Sequence, residues 1–266
     1  MVEFKQKIRF PAVSGEFYPE NKKELERMID IYLSQVEPFE IEGDVFGLIL
    51  PHAGYVFSGQ VAAYGMKAIE NKNFDTVILI GDSHLEYFEG VSIWTSGYWE
   101  TPLGKLEIDN SLAKKIISFS DRFFERDSTH LFEHALEVQL PFLQKTLKDF
   151  KILPIIFGSE NKDWEKLAEA ILENIKDKKI LIIASSDLSH YLPYNQAQEI
   201  DRKTLNSIIN FDYYNLDACG KDAIKTLMKI SEKLGAYGKI LKYLNSGDTF
   251  GDKLRVVGYG AVAFYT

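Results

Sequence analysis

The sequence predicts an α/β protein: a single three-layer α/β/α domain spanning residues 1–266, built on a mainly parallel central sheet. Three observations carry this prediction. Strand-like and helix-like runs alternate along the chain, the order that lays parallel strands beneath crossover helices. The runs 45–50, 76–81 and 180–184 are almost continuously apolar, as buried strands are. The chain has 266 residues, 45% of them hydrophobic and 26% charged, an ordinary globular composition. At this size roughly 75% of the surface is buried on folding, enough for a substantial core.

The elements follow in order. From Asn21 to Gln35, Leu25, Met28, Ile29, Tyr32 and Leu33 share one stripe of a helix. Strand 45–50 leads through Pro51-His52-Ala53-Gly54-Tyr55 to a helix over 60–70, and strand 76–81 ends at Asp82-Ser83-His84. Gly90 to Thr95 is a strand, Trp99 to Gly104 a turn-rich loop and Ser111 to Ser118 a short helix. Leu131 to Leu147 has helical periodicity, but Pro141 lacks a backbone donor and should kink or divide it. Strand 152–157, amphipathic helix 163–176 and strand 180–184 come next. Helices 194–209 and 220–234 and late strands 237–244 and 255–265 complete the chain. No repeat, low-complexity tract or Pro/Gly/Ser linker divides it.

Composition narrows the function. A net charge of −8 argues against a broad nucleic-acid footprint. No apolar stretch approaches the roughly 20 residues that span a bilayer, and Met1–Lys7 lacks the apolar core of a secretion signal. The one cysteine, Cys219, forms no intramolecular disulfide and suits a reducing compartment. The expectation is a cytoplasmic protein without nucleic-acid or membrane partners.

Three of the five histidines stand just past the end of an apolar run: His52, His84 and His190. Ligands of open α/β sheets bind outside these strand ends, and neutral imidazole is the commonest protein ligand for transition metals. One such histidine alone is accounted for by capping a helix or bonding a loop carbonyl; three at equivalent positions point to a shared metal site. Nearby Asp82, Ser83, Asp187 and Ser189 suit either helix capping or fixing an imidazole tautomer. The other two histidines, His130 and His134, are four apart, as are Glu133 and Glu137, so on a helix each pair would share a face. That segment suits either an ion-paired helix start or a supporting role at the site. A zinc protease motif would place glutamate directly after the first histidine, where this chain has Leu131. Cys219 precedes Gly220 at a helix start, where the dipole favours thiolate, although a lone cysteine is commonly a small buried apolar residue. Two histidines and a thiolate would suit zinc, copper or iron.

Several segments, in order, resemble the Memo family, also called AmmeMemoRadiSam system protein B. They are Arg9-Phe10-Pro11-Ala12-Val13-Ser14-Gly15-Glu16-Phe17-Tyr18-Pro19, Pro51-His52-Ala53-Gly54-Tyr55, Gly81-Asp82-Ser83-His84, Glu133-His134-Ala135-Leu136-Glu137-Val138-Gln139, Ser185-Ser186-Asp187-Leu188-Ser189-His190-Tyr191, Cys219-Gly220 and Gly258-Tyr259-Gly260-Ala261. The resemblance implies the fold of LigB-like class III extradiol dioxygenases. It implies His52, His84 and Cys219 as metal ligands, and His190 as the counterpart of the dioxygenases' catalytic histidine. Asp187 would orient His190, His134 would join it in the catalytic pocket, and Tyr55 and Ser83 would contact substrate. Cysteine replaces the glutamate of the iron-binding triad of those dioxygenases, which argues against ring cleavage itself. The resulting expectation is a redox enzyme dependent on non-haem iron or copper, with zinc as a further candidate and no organic cofactor. The alternatives are a binding module that recognises a peptide or protein in the same crevice, and a zinc hydrolase. The ligand would be a small molecule or peptide. Prokaryotic genes of the family often neighbour those of a radical SAM protein and an AMMECR1-like protein, which implies a pathway link.

Overall fold

A computed structural model describes residues 6–158, 163–176 and 178–266. Four strands, Val45–Leu50, Ile180–Ser185, Thr76–Asp82 and Lys151–Phe157, lie side by side in that order and run parallel. Their alternating side chains explain the continuous apolar runs: Val77 and Leu79 enter one core, Ile78 and Ile80 the other. Helices Lys22–Ser34, Tyr55–Ala68 and Leu140–Thr146 contribute Leu25, Val61 and Phe142 to the first core. Helices Asn110–Ile117, Trp164–Asn174, Tyr194–Ile209 and Lys221–Lys233 contribute Leu112, Leu167, Leu205 and Ile224 to the second. Three layers result.

The sheet is mixed. Val256–Tyr265 lies antiparallel to Val45–Leu50, to Tyr237–Asn245 and to His190–Leu192, while Val91–Ile93 lies antiparallel to Lys151–Phe157. Between Tyr237–Asn245 and Val256–Tyr265 lie ten residues, 246–255, whose one helix is the four-residue Ser246–Thr249. That connection is too short for a crossover and returns the chain antiparallel. The loop expected at Trp99–Gly104 is instead a hairpin of Tyr98–Thr101 with Gly104–Glu107, joined by Ile8–Arg9 into a second, three-stranded sheet. Among the described residues no helix is long and apolar enough to cross a membrane.

The helical stretch expected over 131–147, kinked or divided at Pro141, is divided, and the break falls before Pro141. The backbone makes a short helix at Ser128–Leu131, a 3₁₀ turn at Glu137–Gln139 and a helix at Leu140–Thr146, with Pro141 in its first turn. Arg9 accounts for the break. Its Nε donates to the His130 carbonyl (2.7 Å) and its Nη2 to the Glu133 carbonyl (2.8 Å). In a continuous helix those carbonyls would accept from His134 and Glu137. His130 and His134 therefore share no helix face. Arg9 also pairs with Glu137 at 2.6 Å, both side chains being fully buried.

Candidate metal centre

The C-terminal ends of the parallel strands converge as expected, and three histidines meet there. His52, His84 and His134 each offer a ring nitrogen, and these nitrogens all lie within 4.8 Å of one another. His52 follows strand Val45–Leu50 and is buried. Its backbone N–H donates to Asp187 Oδ1 (2.8 Å). His84 follows strand Thr76–Asp82, and His134 comes from the loop that Arg9 braces. The Phe17 ring packs on His134 with centroids 4.9 Å apart.

The hydrogen-bond partners fix the imidazole tautomers. Glu133 Oε1 lies 3.1 Å from His84 Nδ1 and 3.2 Å from His134 Nδ1. A carboxylate only accepts, so both Nδ1 atoms carry the proton. His52 Nδ1 lies 3.2 Å from Ser185 Oγ. That hydroxyl donates to the Ala135 carbonyl (2.6 Å) and accepts from Gln139 Nε2 (3.0 Å), so it must also accept from His52. In the neutral rings Nε2 is then the atom left to bear the lone pair, and that of His52 lies 3.2 Å from Cys219 Sγ. Oxygen partners on the far nitrogen are the usual support of a metal-bound histidine, so the donor set fits a transition metal.

Cys219 stands beside this cluster. Its Sγ is 3.2 Å from His52 Nε2 and accepts the Asp187 N–H at 3.3 Å. Its own N–H donates to the Asp187 carbonyl (3.2 Å). Gly220 allows this approach: a Cβ there would meet the Ser185 carbonyl oxygen at 2.6 Å and Ser186 Cβ at 2.8 Å. Asp82 fastens the same turn, accepting the N–H groups of Asp222 and Ala223 at the start of helix Lys221–Lys233. Burial pulls the His84 pKa down, but hydrogen bonds to Cys219 and Glu133 outweigh it and raise the value to about 9. Burial also opposes ionisation of Glu133, yet hydrogen bonds from His134 and His84 hold it well below the usual carboxylate range.

The remaining expected site residues take other places. His190 opens the short strand His190–Leu192, half-buried and outside the three-histidine cluster, with its ring 5.7 Å from that of Tyr191. Tyr191 has φ +62°, a left-handed conformation of the kind that collects at functional sites. Asp187 supports His52 and Cys219 through the bonds above, and among the described residues no hydrogen bond joins it to His190. Tyr55, expected against substrate, is buried with its hydroxyl donating to the Val138 carbonyl (2.7 Å). Ser83 Oγ donates to the Glu86 carbonyl and accepts the Glu86 N–H, closing a local turn. His130 lies fully buried between Trp94 and Trp99, and burial followed by Arg9 pushes its pKa down to about 3. The shared Glu133 carboxylate, Ser185 and Gln139 were not separable in the sequence from ordinary polar residues. Only the four-residue spacings of His130/His134 and Glu133/Glu137 hinted at a supporting role there.

Comparison with known proteins covers nearly the whole chain. The model of the family described as "Memo-like protein" matches residues 9–263. A "MEMO1 family protein" of Nitrosopumilus maritimus is 38% identical, over 97% of this chain and 99% of that protein. A namesake of Methanosarcina mazei is 39% identical over 96% of this chain and 98% of its own, and one of Sulfurisphaera tokodaii 36% identical over 97% and 99%.

Proposed function

Since the chain belongs to the Memo-like protein family, we propose that it is a metal-dependent redox protein whose centre lies at the C-terminal edge of the central sheet. One observation carries the reading: three imidazoles converge with every Nδ1 engaged by an oxygen, so that three Nε2 atoms remain for a metal beside a thiol. His52 and His84 hold the metal, with Cys219 and His134 as further donors. Iron or copper is the ion this mixed imidazole and thiol set favours for redox work, and zinc is the non-redox alternative. A bound iron or copper supplies one-electron chemistry and a positive charge that polarises a coordinated oxygen.

The chain's own residues supply the rest. Glu133 orients His84 and His134, Ser185 orients His52, and Asp187 sets the spacing between His52 and Cys219. His190, three residues beyond Asp187, is the acid/base group in this reading. Imidazole is the side chain best suited to moving protons near neutral pH.

The test is elemental analysis of untagged protein, wild type against His52→Ala/His84→Ala. About one equivalent of iron or copper in the wild type and none in the variant is the expected result. Equal, negligible metal in both refutes the reading, and one equivalent of zinc with ester or amide hydrolysis moves it to a hydrolase.

A second reading has one observation in its favour. Leu85, Tyr87 and Phe132, close in sequence to His84 and His134, are 65%, 74% and 72% exposed, and exposed apolar side chains of this kind suit holding a peptide. A binding module keeps its partner after His190→Ala, whereas a catalyst loses turnover while retaining metal.

A further inference from the structure

We propose that residues 250–255 form a lid over the crevice that holds the histidine cluster, and that ligands enter when this lid lifts. The inference stands whether or not the crevice binds metal.

The segment reaches from one rim of the crevice to the other. It joins helix Ser246–Thr249 to strand Val256–Tyr265. At its start the Phe250 ring packs on Phe57, with centroids 5.1 Å apart. Phe57 stands in the first turn of helix Tyr55–Ala68, close to Phe17: a Cβ on Gly54 would lie 3.6 Å from Phe17 Cα and 3.7 Å from Phe57 Cδ2. Phe17 is the ring that packs on His134. At the other end, Lys253 Nζ lies 4.5 Å from the Tyr194 ring centroid and the Arg255 guanidinium 5.0 Å from that of Tyr191. Tyr191 is in turn the ring neighbour of His190. The span therefore runs from the His134 side to the His190 side.

Firm anchors flank a loosely held middle. Before the segment, Asn245 and Asp248 cap helix Ser246–Thr249 reciprocally, and the Tyr194 hydroxyl donates to Asp248 at 2.5 Å. After it, Val256 is fully buried in the sheet. Between these anchors one hydrogen bond among the described residues ties the segment to 190–194, from the Tyr194 N–H to the Lys253 carbonyl (3.0 Å). Phe250 is 71% and Leu254 79% exposed, so little apolar burial holds it down. Gly251 takes φ +94°, with nothing within 4 Å of where a Cβ would stand. Few buried contacts and a hinge free to turn mark a segment that opens locally while the fold stays intact. Any surface loop can be loose; this one rests on both rims.

The two cation–aromatic contacts are the latch. Neither Lys253 nor Arg255 has a carboxylate partner among the described residues, so the rings are what hold them. Each contact is worth a factor of about two to five at an exposed site, and removing both should raise the open population about 5–30-fold.

Cys219, the one cysteine of the chain and the neighbour of His52, reports the opening. The full chain, kept free of metal by a chelator, is labelled with N-ethylmaleimide, an uncharged reagent whose approach the lost cations cannot steer. Wild type is compared with Lys253→Ala/Arg255→Ala and with Lys242→Ala, which removes a contact of the same kind, to Tyr64, outside the lid. The double variant should label about 5–30-fold faster, and its Tyr194 amide, whose acceptor is the Lys253 carbonyl, should exchange hydrogen faster by a similar factor. Lys242→Ala should label as wild type does. Labelling of the double variant within about twofold of wild type, or faster labelling with an unchanged Tyr194 amide, overturns the proposal. Phe250→Ala, which frees the Phe57 rim, repeats the comparison if the double variant lowers the urea midpoint.

Discussion

Replacing Arg9 by alanine should cost about 3–5 kcal/mol of stability, the usual result of removing one partner from a buried ion pair. Glu137 would lose Arg9 but keep three donors: the N–H groups of Ala12 (2.7 Å) and Val13 (3.0 Å) and the Tyr18 hydroxyl (2.6 Å). The carbonyls of His130 and Glu133 would each lose a charged donor worth about 1.5–3 kcal/mol, and the Trp99 face would lose the guanidinium stacked 4.3 Å from its centroid. At roughly 2–4 °C per kcal/mol for a chain near this length, the melting temperature should fall by about 6–20 °C. Thermal and urea unfolding followed by circular dichroism measure it, with Glu137→Gln and the double variant completing a cycle. The double variant should be less destabilised than the sum of the single ones, because each single change strands a buried group. A loss under about 1 kcal/mol for Arg9→Ala, or strict additivity in the cycle, would refute the claim that this pair braces the His134 loop.

Three further outcomes are expected. Glu133→Gln cannot accept from both imidazoles and the His84 N–H at once, so metal affinity measured by chelator competition should fall about 10–100-fold, and unchanged affinity would count against the assigned tautomers. Gly220→Ala should cost about 1–3 kcal/mol through contact with Ser185 and Ser186, read from the urea midpoint; no change would mean the turn relaxes freely. Asp109 supplies a pH test. Burial opposes its ionisation, but Lys178, the Leu112 N–H and the Thr76 hydroxyl lower its pKa below 3.8. Its contribution to stability is thus present above pH 3.8 and is lost as pH falls through the lowered folded value. Asp109→Asn should flatten the loss of stability on acidification below about pH 4, and a variant with the acid limb of wild type would remove Asp109 from the account.

The parts of the fold written in local pattern were legible in the sequence. Strand Val45–Leu50 and helix Tyr194–Ile209 have the predicted bounds because apolar period and terminal residues both mark them. The strand-end rule named His52, His84 and His190, of which the first two lie in the three-histidine cluster, and the resemblance named Cys219, which lies beside His52. Long-range polar contacts left no such trace. Arg9 reaches carbonyls more than a hundred residues away, and no period in 131–147 shows that its helical hydrogen bonds are taken by another segment. The role of Ser185 likewise depends on which of its neighbours can only accept, a fact of three-dimensional placement.

The four donors lie on separate stretches of chain, and His52 and His84 are brought together only when strand Ile180–Ser185 pairs between their own strands. An ion therefore has no local segment on which to template folding, unlike the metal of a zinc finger. On the proposed reading the sheet would form first, and loading would be a late step on a finished receptor. Such a receptor would sample whichever ions the cell leaves exchangeable, and a chelator would empty it while the polypeptide stays folded.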